Sequence, residues 1–237
     1  MSTPETTPGT GTSPSELRPG QEPPGGDLGR IISLTDGVFA FALTLLVLSL
    51  AVPVLNGSLP AAQLSGQLWA ALRSDYGAFL GYVFVFVMIA IWWIIHHRLF
   101  RYILRYDDLL VTMNLGLLLE IAVMPFVLKV YVSYSDTTVA VILFALIEVA
   151  TGLTLALIWW YATHGHRLVA KNLPESVIRY FRYRTLFSPV VFTISIAVAF
   201  VSVTAAEICW LGVFVSARLS LYSQKRPGDP DSRSPPP

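Results

Sequence analysis

Six runs of apolar residues, near 31–52, 76–97, 108–131, 138–161, 185–204 and 206–222, decide what this chain can fold into. A helix needs about 20 apolar residues to cross a hydrocarbon core of about 30 Å. In lipid every backbone N–H and C=O must find its partner within the protein, and a helix meets that demand within one segment. The runs therefore predict an all-α membrane protein with six transmembrane helices, the sixth being the shortest. Composition agrees: 54% of residues are hydrophobic and only 13% charged, against roughly 25% charged in a soluble domain.

The flanks differ in kind. Residues 1–29 are dominated by Pro, Gly, Ser and Thr, and residues 223–237 close on Lys225-Arg226-Pro227-Gly228-Asp229-Pro230-Asp231 and a run of prolines. Neither segment has the apolar content to bury a core, so both are expected to be disordered tails around one membrane domain, 30–222. The first apolar run is too long for a signal-peptide core and is expected to be retained.

Charge orients the domain. With the N-terminus in the cytoplasm, fourteen of the sixteen basic residues fall on inner segments, among them Arg98, Arg101, Arg105, Arg167, Lys171, Arg179, Arg182 and Arg184. Only Arg73 and Lys129 remain outside. This positive-inside bias places both termini in the cytoplasm, which requires an even number of spans. The inner loop 162–184 is expected to carry a short surface helix after Leu173-Pro174-Glu175. Asn56-Gly57-Ser58 fits a glycosylation sequon but reads first as a turn. The lone Cys209 has no second cysteine in the chain to pair with.

The first run carries the chemistry. It opens on Arg30 and holds Asp36 about five residues inside the membrane edge, roughly 8 Å at 1.5 Å per residue. A charge facing lipid there costs at least a few kcal/mol, so Asp36 must face protein or water. Trp93 on the second run lies at similar depth, Asn114 on the third slightly deeper, and His96 and His97 just outside Trp93. Together with Arg30 these groups supply donors for a partly buried carboxylate. Further along, Phe41, Leu45, Leu48 and Val52 stand at helical spacing on one face with Thr44 beside them. Apolar residues at that spacing are ordinary packing as readily as a pore lining.

Arg30-x-x-x-Leu34-Thr35-Asp36-Gly37-Val38-Phe39-Ala40 and the following Ala-Leu-Thr-Leu-Leu-Val-Leu resemble the Arg-x-x-x-Phe-Ser-Asp signature of the endolysosomal potassium channel family, transmembrane protein 175 and its prokaryotic relatives. Trp92-Trp93-Ile94-Ile95-His96-His97-Arg98-Leu99-Phe100, Asn114 and Pro125-Phe126 are similar to the prokaryotic six-helix members. The resemblance implies a homotetramer with the first helix of each subunit lining a central pore. It implies a constriction at Phe41, Leu45 and Leu48, a hydroxyl layer at Thr44, and a polar network of Arg30, Thr35, Asp36, Trp93, His96, His97 and Asn114. Selectivity would rest on the cost of dehydrating the ion, since nothing here matches a Thr-Val-Gly-Tyr-Gly filter. The chain departs from the family pattern at Leu34 for Phe, Thr35 for Ser, and Phe41 at a position that is usually aliphatic.

Glu120 and Glu148 fall near the middle of the third and fourth runs. They read either as a polar pair that knits helices, with Thr151 or Thr154 as partners, or as a proton relay, which makes a proton-coupled secondary transporter the alternative function. Against a transporter, the spans have no obvious repeat, and Pro125 and Pro189 lie singly near run ends. A scaffold without transport is the third class. No nucleophile elbow, phosphate-binding glycine loop or cysteine cluster is present, so no enzyme is expected. His164-x-His166 and His96-His97 lack third ligands, so neither a metal nor any other cofactor is expected. The expected partners are potassium ions, the lipid bilayer and further copies of the chain, with no nucleic acid. The expected location is the bacterial plasma membrane.

Overall fold

The computed structural model describes residues 26–55 and 60–223. Residues 1–25 and 224–237, which make up most of the two expected tails, and the Asn56-Gly57-Ser58 sequon lie outside the described residues. The described chain is helical: α1 Gly26–Leu45, continued by a 3₁₀ turn Leu46–Ser49, then α2 Ala61–Ser74, α3 Tyr76–Phe100, α4 Asp108–Ser133, α5 Thr138–Thr163, α6 Glu175–Ala199 and α7 Val203–Ser223. Among the described residues four helices, those starting at Leu28, Tyr76, Asp108 and Thr138, are long and apolar enough to cross a membrane.

Local chemistry explains the boundaries. The Asp107 carboxylate accepts from the Leu110 backbone N–H at 3.0 Å and so caps α4. The Tyr161 hydroxyl donates to its other oxygen at 2.6 Å, tying α5 to the start of α4 and holding the Asp107 carboxyl below the usual carboxylate range. That part of the stability is present above the unfolded-state value and is lost as pH falls through the folded one. α5 ends in a left-handed turn at Gly165, φ 59°, a conformation that glycine adopts without strain. At the far end of α1, Leu50 turns extended with ψ 122°, three residues before Pro53, which bars helix at the residue preceding it.

Four features of the helices differ from what the sequence predicts. Val52 lies past the helical part of α1, so the expected four-residue stripe stops at Leu48. The surface helix expected after Pro174 and the fifth apolar run form one continuous helix, α6, which places Pro189 in its interior instead of near an end. α2 was not expected, because its Ala, Gln, Ser and Gly content gives no long apolar run. It buries no residue, and Arg73 lies over the Trp69 ring at 4.8 Å. α1 also begins at Gly26, ahead of the expected start at Arg30.

The core runs through α3, α4, α5, α6 and α7, with one face of α1 packed into it. Part of it is an aromatic cluster: Phe144 lies 4.9 Å from Trp210 and 6.0 Å from Phe192, ring centre to ring centre, and Tyr131 lies 5.6 Å from Trp210. Deeper in the wall, α5 and α6 touch where Gly152 meets Pro189. A Cβ at Gly152 would stand 2.3 Å from Pro189 Cγ and 3.0 Å from the Trp92 ring. Outward-facing Leu119, Phe126, Val139, Val190 and Ile194 are each more than half exposed. That is a surface for lipid, not water.

Because neither the proline ring nor the indole can retreat, Gly152→Ala is expected to destabilise the subunit by about 1–3 kcal/mol, the range for overpacking. Thermal melting in detergent followed by tryptophan fluorescence should register a lower midpoint than the parent protein, and an unchanged midpoint would mean the contact yields.

Candidate functional site

α1 has two opposed faces. Thr35, Phe39, Ala42 and Leu46 recur at helical spacing and are buried to 1% exposure or less, packing α1 onto α3 and α4. Leu34, Gly37, Phe41, Thr44 and Leu48 follow the same rule of spacing on the other side, and all are exposed, Phe41 at 64% and Leu48 at 71%. Leu45 is half-buried at the edge of that open face. It joins Ser33, Leu34, Phe41 and Ala122 of α4 in lining a groove of about 530 Å³. The Thr44 hydroxyl donates to the Phe41 carbonyl at 2.8 Å, which leaves its oxygen lone pairs turned outward.

A directional relay fixes the buried face. The Thr35 hydroxyl donates to the Ile31 carbonyl at 2.9 Å, so its oxygen is free to accept the Asn114 amide N–H, also at 2.9 Å. With its amide nitrogen thus engaged, Asn114 presents Oδ1 to His96 Nε2 at 3.0 Å. An oxygen there requires the proton on Nε2. His96 is 1% exposed, stacks on Phe100 at 4.0 Å and lies 6.1 Å from Phe39. Three helices are thereby joined through one chain of hydrogen bonds, each group in its only consistent role.

One residue further along α1, Asp36 accepts the Trp93 indole N–H at 2.8 Å, and His97 stacks on Trp93 at 5.5 Å. Arg30 is exposed on the first turns of the same helix. Of the expected polar network, the structure thus joins Thr35, Asn114 and His96 in a buried set, and Asp36, Trp93 and His97 in a half-exposed one.

Glu120 and Glu148 do not bond each other. Glu120 Oε1 accepts from Thr154 and Glu148 Oε2 from the Trp92 indole, both at 2.8 Å. The sequence reading placed Trp93 in the network and missed Trp92. Adjacent helical residues point about 100° apart, so one indole serves α1 and the other α5, and no pattern in the α3 run alone tells which. The Tyr131 hydroxyl bond to Glu207 at 2.6 Å and the Trp210 indole bond to Ser195 at 2.9 Å were missed for the same reason. Among the described residues no group of three or more His, Cys, Asp or Glu side chains could hold a metal ion.

Comparison with known proteins bears on this arrangement. The family model described as endosomal/lysosomal potassium channel TMEM175 matches residues 30–125, the stretch that carries both hydrogen-bonded sets. A potassium channel of Streptomyces collinus is 32% identical over 178 residues, covering 73% of this chain and 83% of that protein. A potassium channel of Chamaesiphon minutus is 29% identical over 205 residues, covering 85% and 96% respectively. The crystal structure of a lysosomal potassium-selective channel TMEM175 homologue from Chamaesiphon minutus superposes with a TM-score of 0.69 at 26% identity, over 82% of this chain and 98% of that one.

Asn114→Ala removes the centre of the relay and leaves a buried imidazole N–H without an acceptor. A loss of about 1–3 kcal/mol in stability is expected. Denaturation monitored by circular dichroism should place the variant below the parent, and equal stability would show that the relay adds nothing to the fold.

Proposed function

Since the chain belongs to the TMEM175 family of endosomal/lysosomal potassium channels, we propose that it is a multi-pass membrane channel that conducts potassium passively, four copies meeting with the open face of α1 around a central pore. Its kinship is with ion channels, not with enzymes. Six spans with both termini in the cytoplasm, and a bacterial plasma membrane as the site of action, complete the reading.

The observation that carries it is the two-sidedness of α1. One face is consumed by α3 and α4, while the other leaves Leu34, Phe41, Thr44 and Leu48 exposed among the described residues. Bare leucine and phenylalanine would suit lipid. The half-exposed Asp36 carboxylate at its edge would not, since charged groups at membrane depth collect around protein or water. Around an axis, Phe41 and Leu48, flanked by Leu45, form successive apolar collars, and Thr44 stands between them as the one layer able to touch a cation.

The chemistry of passage follows from the backbone. Carbonyls within α1 are bonded to N–H groups four residues on, so they are committed and cannot replace an ion's water shell. Discrimination then falls to partial dehydration between carbon side chains, and a narrow collar closes by losing its water. The Asp36–Trp93 pair fixes the rotation of the α1 base against α3 and so weights open against closed, with Arg30 and His97 adjoining.

Potassium flux into liposomes tests the pore. Leu48→Ala and Leu45→Ala shrink the collars, and an increase of about tenfold corresponds to about 1.4 kcal/mol off the barrier, accompanied by weaker preference for potassium over sodium. Parent-like flux and preference in both variants would put the ion path elsewhere. Gating is tested separately: Asp36→Asn and Trp93→Phe each weaken the same charge-assisted bond, worth about 1.5–3 kcal/mol. Both should move single-channel open probability in the same direction, and opposite or absent shifts would dismiss the pair as a gate element.

A further inference from the structure

At the end of α3 away from Arg98, a cavity of about 950 Å³ opens between four parts of the chain. Residues 49–51 after α1, the start of α3, the end of α4 and the start of α7 border it. Its size falls in the range of small-molecule sites, about 300–1,000 Å³. The function proposed above makes no use of it.

The wall has two kinds of surface, of which the first is aromatic. Phe84, Tyr131 and Trp210 line it from three different helices, with Phe84 stacked on Trp210 at 5.7 Å and Tyr131 5.6 Å from the same indole. Tyr76 and Phe79 join them from the first turn of α3, each more than half exposed. The second surface is anionic. Every charged side chain among the described lining residues is a carboxylate: Asp75, Asp136 and Glu207. Arg73 and Lys129, the basic residues nearest in sequence, are outside the lining, and Arg73 lies over Trp69 at 4.8 Å.

Glu207 is the carboxylate whose direction is fixed. Its Oε1 accepts the Tyr131 hydroxyl at 2.6 Å. Its Oε2 has no hydrogen-bonding partner among the described residues and, unlike the second oxygens of Glu120 and Glu148, is not sealed. A carboxylate held beside ring faces, in a wall without a cation, lacks its counter-charge. Ring faces carry negative quadrupole density and attract a cation lying over them, most effectively one whose charge is spread on a carbon body and shed of water.

We propose that this cavity binds an organic ammonium ion, its nitrogen at Glu207 and its carbon body against Tyr131, Trp210 and Phe84, with Asp75 and Asp136 adding attraction. The site lies within one subunit and stands whether or not α1 lines a pore.

Calorimetric titration of the full-length protein in detergent with benzyltrimethylammonium chloride is the test. Saturable binding is expected, absent for neutral benzyl alcohol and for the anion benzenesulfonate, and displaced by choline chloride far more than by potassium chloride of equal ionic strength. Glu207→Gln keeps an oxygen for the Tyr131 hydroxyl and should weaken binding about tenfold, or about 1.4 kcal/mol. Asp108→Asn, which removes an exposed carboxylate at the other end of α4, should bind like the parent. Should Glu207→Gln fail to fold, Asp136→Asn, exposed at the cavity, takes its place with an expected loss of about threefold. No saturable binding by the parent, equal binding by parent and Glu207→Gln, equal binding of benzyl alcohol, or equal displacement by potassium each overturns the proposal, as does an equal loss in Asp108→Asn.

Discussion

The hydrogen bond from the Asn114 amide to the Thr35 hydroxyl fixes the rest of the molecule's business. A helix in lipid has little to stop it turning about its own axis, because carbon side chains are nearly as content against acyl chains as against one another. A polar pair at a single angle removes that freedom. With Thr35 pinned to Asn114, and Asn114 to His96, α1 has one rotational setting. Which residues remain open is then determined: Phe41, Thr44 and Leu48 lie outside because Phe39, Ala42 and Leu46 lie inside.

Much of this was legible in the residues. Apolar length located the long helices, since lipid imposes a minimum span that few sequences meet by accident. Depth counting brought Asp36, Trp93, His96 and Asn114 to one level, because rise per residue is nearly constant in a helix. What depth cannot give is azimuth. Trp92 and Trp93 are equivalent in hydropathy and differ only in the direction they face, so the bond between Trp92 and Glu148 became visible only with the helices in place. α2 escaped notice for a different reason: a short segment mixing alanine with glutamine and serine satisfies no membrane template, and it buries none of its residues.

The same limit separates the two kinds of buried polar group. Hydroxyls at Thr151, Thr163 and Thr185 bond carbonyls of their own helix three or four residues back, and so cost the fold nothing. Arg184 and Ser188 lack that recourse.

α1 is joined to its subunit by one face alone, while the aromatic core around Phe144 and Trp210 belongs to other helices. Selection acting on Phe41, Thr44 or Leu48 therefore works on residues that contribute almost nothing to folding. If the proposed pore runs along that strip, substitutions there change permeation while the scaffold behind them is inherited intact.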